Sequence, residues 1–210
     1  MKSLEKHIAE QLLKIKAVKL QPRNPFTWAS GIKSPIYCDN RLTLSYPKIR
    51  VFIKLELSRL IVEKYPNVDV IAGIATGAIA QGVLVADQLG LPFVYIRSTP
   101  KDHGLENMIE GDLRPGQKVI VIEDLISTGG SSLRAVDAIR SNGSEVLGML
   151  GIFTYGMPQA EQKFKKMKVN LTTLCNYDVV VSEALATNYI SAEDVEILRE
   201  WRKNPEKWNI

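Results

Sequence analysis

The stretch Val119-Ile120-Val121-Ile122-Glu123-Asp124-Leu125-Ile126-Ser127-Thr128-Gly129-Gly130-Ser131-Ser132 decides how the rest of the chain is read. Val119 to Ile122 form a continuous apolar run, which is what a strand covered on both faces needs, since a parallel sheet leaves no solvent side for polar alternation. Glu123 and Asp124 stand where that strand is expected to leave the sheet, and open α/β sheets take their ligands outside the carboxyl ends of the strands. Adjacent carboxylates there offer several acceptors to vicinal hydroxyls, and both resist burial unless something satisfies them. The plainer alternative is that they cap a loop. Beyond the acidic pair comes a turn of hydroxyls and glycines, Ser127 to Ser132, running into a helical pattern. Glycines let successive N–H groups converge on one anion, hydroxyls add donors, and a helix N-terminus adds a favourable dipole. A phosphate fits such a turn. Neither G-x-x-x-x-G-K-[S/T] nor a helix-opening G-x-G-x-x-G occurs, so the common nucleotide loops are not the explanation.

Outward from this stretch, short apolar runs at 68–74, Phe93–Ile96 and 146–153 alternate with helical stretches, a rhythm that predicts a parallel α/β fold. One helix is expected over Ile79–Leu89, stopping at Gly90 with Pro92 beyond, and another over 132–141, stopping near Gly143. Leu4, Ile8, Leu12 and Ile15 repeat at helical spacing. Pro47 marks a second helix start, with Phe52, Leu55, Leu60 and Ile61 as its expected apolar face. Ser191 with Asp194 forms a capping-box pattern for a last helix through Trp201. Two segments break the rhythm: an irregular stretch at 21–43, and a polar stretch at 98–116. The second is longer than an ordinary connection and reads as a mobile functional loop.

Composition narrows the function classes. A chain of 210 residues, 45% hydrophobic and 24% charged, can bury a core without disulfides or metals. The net charge of +4 suits anionic small molecules but is not the clustered basic stripe of a nucleic-acid binder. The densest basic cluster, Lys163, Lys165, Lys166 and Lys168, reads as the solvated face of a helix. Cys38 and Cys175 are too isolated for a metal site and are taken as inert thiols in a reducing compartment. Charged residues interrupt the N-terminal apolar pattern and no membrane span is found downstream, so a cytoplasmic protein is expected, without nucleic-acid or membrane partners. The glycosylation-like Asn142-Gly143-Ser144 and Asn170-Leu171-Thr172 are then ordinary loop residues.

Residues 119–132 resemble, without a gap, the signature of the phosphoribosyltransferase family: apolar strand, acidic pair, hydroxyl-and-glycine turn. The resemblance implies a single domain over 1–210, with a parallel sheet core flanked by helices and a small N-terminal hood. It also implies phosphoribosyl diphosphate as ligand. Glu123 and Asp124 would hold the ribose hydroxyls, directly or through magnesium-bound water, and Ser127, Thr128, Gly129, Gly130 and Ser131 the ribose phosphate, with Leu125 and Ile126 inside the same binding segment. Mg2+ is the implied cofactor, held through substrate and water with no residue ligating it directly. Gly73, Ala75, Thr76, Gly77 and Ala78 form a second small-residue turn where the family holds the pyrophosphate; by itself such a turn also serves mere close packing.

The acceptor is suggested by the polar loop. Arg97, Lys101, Asp102, His103 and Gly104 resemble the loop of the family's orotate branch, whose Arg, Lys and His reach the diphosphate in the neighbouring subunit's site. This implies a homodimer with the loop at 98–116 acting in trans, Lys101 and His103 as catalytic groups, and Arg97 on the sugar diphosphate. Such cations would neutralise a departing diphosphate. Phe26, Thr27, Ser30, Gly31, Ser34, Pro35 and Tyr37 resemble the branch's hood over the base, placed within 1–45, and Ser127 is the implied orotate contact. Ala29 and Ser98 depart from the pattern, standing where some members carry lysines. The implied reaction is transfer of phosphoribosyl from phosphoribosyl diphosphate to orotate, a step of pyrimidine (UMP) biosynthesis. A non-catalytic sensor of the sugar diphosphate and a purine acceptor are the competing readings, opposed by the charged loop and the hood.

Overall fold

The computed structural model describes residues 3–28, 31–99 and 108–208, so Ala29, Ser30, Lys101, Asp102, His103 and Gly104 lie outside the described residues. The chain opens with α1 (Leu4–Lys14), whose buried Ile8, Leu12 and Leu13 carry the expected stripe. The segment expected to be irregular instead holds short strands. β1 (Val18–Leu20) pairs antiparallel with β4 (Ile36–Cys38), and β2 (Phe26–Thr27) pairs antiparallel with β3 (Lys33–Ser34). Strands of two or three residues are too short for a period to register in the sequence. A 3-10 helix over Asn40–Ser45 then leads into α2 (Pro47–Lys64), with Pro47 in its first turn as predicted.

The face of α2 differs from expectation. Ile49, Ile53, Leu57 and Ile61 are buried in a row, while Leu55 is 45% exposed and Phe52 and Leu60 are only half-buried. Apolar and charged residues are interspersed all round this helix, so periodicity does not select a face and packing does.

A six-stranded sheet forms the centre: β5 (Val70–Ile74), β6 (Phe93–Ile96), β7 (Ile109–Glu110), β8 (Lys118–Ile126), β9 (Glu145–Thr154) and β10 (Leu171–Asn176), in the order β10-β9-β8-β5-β6-β7. All pairings are parallel except β6 with β7. β7 lies inside the stretch read as a loop, so 98–116 is not loop throughout. β10, rich in threonine and half-buried, carried no strand signal. The helices are α3 (Ile79–Leu89), α4 (Gly130–Ser141), α5 (Pro158–Lys166), α6 (Tyr177–Ala186) and α7 (Ala192–Lys203), the last opening with the predicted Ser191–Asp194 capping box. Gly90 ends α3 in the left-handed conformation, and Asn142 and Gly143 end α4.

Connections from β5 lead toward β6, and those from β8 lead toward β9, so the winding reverses between the adjacent strands β5 and β8. With right-handed crossovers, α3 and α4 diverge to opposite faces and leave a crevice at the carboxyl ends of β5 and β8, where α/β sheets bind ligands. β8 does not stop at Ile122 as expected. Its ladder with β5 ends at Gly73↔Ile122, but its ladder with β9 continues to Ile126↔Thr154. Glu123 and Asp124 therefore sit on a strand still anchored on one side and open on the other. No helix of the described residues is long and apolar enough to cross a membrane.

Candidate active site

A cleft of about 440 Å³ opens at this reversal, and its walls include Glu123, Asp124, Thr76, Gly77, Ser131 and Arg41. Glu123 is 5% exposed. Its carboxyl accepts from Ser132 Oγ at 2.8 Å and from the Asp124 backbone N–H at 3.0 Å. Burial first, and then the Asp124 charge, pushes Glu123 up to about 8, against which the Ser132 bond pulls down. Asp124 is also raised, chiefly by burial, while Glu123 and the Arg41 charge draw it back. Two carboxyl groups this close and this dry do not both ionise readily. Thus Glu123 is held by the fold and Asp124 is the member that lines the cleft more openly.

The turn after β5 is fitted to Asp124. A Cβ on Gly77 would stand 2.2 Å from Asp124 Oδ2, so only glycine lets the backbone pass the carboxylate. The Ala75–Thr76 peptide of this turn is cis. The sequence pointed to this second turn as a weak signal; the structure brings it against the acidic pair in the lining of one cleft.

The hydroxyl-and-glycine turn runs directly into α4 (Gly130–Ser141). Gly129 adopts φ +73°, and a Cβ there would lie 2.8 Å from the Phe164 ring of α5. No side chain caps α4, whose first N–H groups have no intrahelical acceptor. Together with the dipole they form a ready anion seat. Lys163 Nζ donates to the Thr128 carbonyl at 3.3 Å, so one lysine of the cluster read as solvated steadies this turn. Ser131 lines the cleft, Ser127 and Leu125 face a neighbouring pocket, and Ile126 is fully buried in the ladder with β9. Ile126 therefore contributes framework and backbone only.

That second pocket, about 200 Å³, is lined by Trp28, Tyr37, Cys38, Leu125, Ser127 and Tyr155, and it shares Cys38 and Leu125 with the cleft. Trp28 packs at 5.3 Å from the Tyr155 ring and 5.6 Å from that of Trp201 in α7, and Trp201 Nε1 donates to the Lys33 carbonyl at 3.0 Å. Tyr155 follows β9 directly, and burial pushes its phenol well up. Burial likewise pushes up the Cys38 and Cys175 thiols, as inert cysteines require. Trp28, Tyr155, Asp39 and Arg41 were not singled out from the sequence. Position just past a strand end could have found Tyr155; the others depend on how the hood folds back.

Arg97 donates to Glu110 Oε1 at 3.2 Å, across the β6–β7 pair, and its backbone N–H bonds the Met108 carbonyl at 2.8 Å. It stands beside the loop, while Ser98 lines the cleft itself. The expectations for Lys101 and His103 fall outside the described residues.

Comparison with known proteins agrees with this geometry. The family described as "Phosphoribosyl transferase domain" matches residues 53–183. An orotate phosphoribosyltransferase of Porphyromonas gingivalis is 68% identical over 210 residues, covering 100% of both chains. Another, from Phocaeicola vulgatus, is 68% identical over 208 residues, covering 99% of this chain and 98% of its own. The crystal structure of orotate phosphoribosyltransferase from Aeropyrum pernix superposes with a TM-score of 0.76 at 26% identity, covering 88% of this chain and 99% of that one.

Proposed function

The chain belongs to the orotate phosphoribosyltransferases of the phosphoribosyl transferase family, and on that premise we propose that its cleft binds phosphoribosyl diphosphate and its aromatic pocket binds orotate. The observation that carries the reading is the junction of the two cavities at Leu125 and Cys38, beside the acidic pair and the uncapped α4. In the reaction, orotate N1 forms a bond to the ribose C1 as the C1–O bond to diphosphate breaks, its electrons leaving with the diphosphate. Orotate attacks as an anion, so no strong base is needed.

The chain's tasks are orientation and charge placement. Ser127 to Ser131 and the α4 N-terminus seat the ribose phosphate, and Asp124 accepts from the ribose hydroxyls, with Glu123 behind it. Stacking walls from Trp28, Tyr37 and Tyr155 hold the flat base with Ser127 at its edge. Holding the reacting atoms in line is worth at most ~7–11 kcal/mol of the barrier. Among the described residues no group of three or more His, Cys, Asp or Glu is arranged to hold a metal. The carboxylate oxygens at the cleft suit Mg2+ carried in on the substrate and met by Asp124 through water, where it would supply countercharge for the diphosphate.

Lys101 and His103, with Arg97 at the loop's base, are assigned to the leaving diphosphate, and the loop acts in a partner's site of a cytoplasmic homodimer. Support for self-association comes from apolar side chains left exposed on the packed pair α2 and α3: Val51, Leu55, Val62 and Val83. The deciding assay supplies phosphoribosyl diphosphate and magnesium with orotate, adenine or hypoxanthine in parallel. Consumption of orotate alone is expected; turnover of a purine instead, or of none, would reject the reading. For the loop, mixing Lys101→Ala chains with Asp124→Asn chains should restore part of the activity through one intact site, whereas no recovery after demonstrated subunit exchange would mean that each loop serves its own site.

A further inference from the structure

The walls of the larger cleft are poorly matched in charge to an anionic ligand. Among the described residues lining it stand three acidic side chains, Asp39, Glu123 and Asp124, of which burial keeps Glu123 protonated, and one cation, Arg41. Arg41 is held in a fixed pose by its neighbour. Its Nε and Nη2 donate to the two Asp39 carboxylate oxygens at 2.7 and 2.9 Å, and its backbone N–H donates to Asp39 Oδ1 at 3.2 Å. The planar fork is thereby pre-oriented. Its side chain remains 60% exposed, so donors are left for another acceptor. The segment that carries it is fastened to β8, where the Asn40 side chain donates to the Asp124 carbonyl at 2.6 Å, and within the segment Cys38 Sγ donates to Asn40 Oδ1 at 3.4 Å.

From this placement we infer that Arg41 is a further substrate-binding residue, which reaches from the hood to the diphosphate of the sugar substrate. The choice of diphosphate over the base follows from the cavities. Arg41 lines the cleft shared with Thr76, Gly77 and Asp124, and is absent from the aromatic pocket of Trp28, Tyr37 and Tyr155. Guanidinium also suits phosphate oxygens geometrically, giving paired, charge-assisted bonds. Its field already acts on the acidic pair, since the Arg41 charge lowers Asp124. Asp39 then has a definite task. It keeps the guanidinium from folding onto Asp124 before substrate arrives, and leaves the cleft with a cation aimed at a ligand that carries several negative charges. This inference rests on the cleft being the sugar-diphosphate site.

The test measures binding directly, by calorimetric titration of phosphoribosyl diphosphate and, separately, inorganic diphosphate with magnesium into wild type, Arg41→Ala, Arg41→Gln and Arg41→Lys, alongside steady-state kinetics and thermal midpoints. Loss of both neutral variants' affinity by about 10- to 100-fold is expected, with most of it restored by Arg41→Lys and KM for orotate changed far less than KM for the sugar diphosphate. Arg41→Lys keeps the charge and gives up the paired bonds to Asp39, so a residue needed only to brace the turn would lose as much on becoming lysine as on becoming glutamine. Equal losses in Lys and Gln variants, tracked by a falling thermal midpoint, would overturn the inference. Unchanged affinity in the neutral variants, or a loss confined to orotate, would do so as well. Wild-type chain that binds neither diphosphate ligand would point instead to failure of the underlying site reading.

Discussion

The two walls of the cleft are built in opposite ways. One wall, β8 with the turn into α4, is a single unbroken run of chain, buried from Val119 to Glu123 and pinned to β9 by a long ladder whose register shifts once, between Val119 and Ile120. The other, the hood between β1 and the 3-10 helix, consists of strands of two or three residues. It is held by individual ties to distant segments: Asn40 to the Asp124 carbonyl, Trp201 to the Lys33 carbonyl, and Arg23 to Asp194 and Glu193. The first wall derives its position from backbone pairing and burial, so its geometry is rigid and its signature local. The second derives its position from side chains far apart in sequence, and each tie can be removed by one substitution.

Substitutions can break that contrast at several strengths. The largest effect should come from the rigid wall. Gly77→Ala, on the turn after β5 that packs against this wall, puts a methyl carbon 2.2 Å from Asp124 Oδ2, and because displacement by about 1 Å can cost about a hundredfold in rate, kcat/KM for orotate transfer should fall by about that much or more. Retained activity would mean that the carboxylate can turn aside freely and that the wall is not rigid.

Next in size is a pH effect of the same wall. Glu123 in the fold lies near 8, above its ordinary 4.5. The native state therefore keeps a proton that the unfolded chain releases, so this group's contribution to the stability of the ligand-free protein is fully present below about 4.5 and is lost as pH rises through about 8. Glu123→Gln should flatten that decline. Thermal midpoints measured across this range check it, and parallel curves for the two proteins would show that burial does not raise this carboxyl.

The smallest effects belong to the hood. Asn40→Ala leaves the Asp124 carbonyl without its side-chain donor, at about 1–3 kcal/mol for a buried acceptor, which denaturant titration should show together with a raised KM. Arg23→Ala removes only an exposed tie to α7 and should leave the thermal midpoint and rate unchanged. If the Arg23 variant matched the Asn40 variant, the hood would hang from α7 rather than from β8.

The same division governs what was legible in the chain. The helices Leu4–Lys14, Ile79–Leu89 and Ala192–Lys203, the strands β5, β6, β8 and β9 and the glycine turn into α4 could be read because their signals lie within a few residues of one another. The face of α2 and the strand β10 could not, since apolar residues all round a helix, or threonines along an edge, look alike whichever side is covered. The lysine cluster faces solvent as read, and what its local pattern does not carry is the bond from the exposed Lys163 to the Thr128 carbonyl, 35 positions away.

By itself the sequence determined the chemistry of one wall: an apolar strand, two carboxylates and a glycine turn in consecutive order can only be displayed together, because covalent connection fixes their spacing. Only the tertiary structure decided what faces them. Gly77 against Asp124, Trp28 against Tyr155 and Arg41 on the rim of the cleft are pairings across long stretches of chain, set by the reversal of winding between β5 and β8 and by the burial of the hood's aromatic side chains. No local pattern encodes such distances, because the free energy that fixes them belongs to surfaces formed only once the chain has folded.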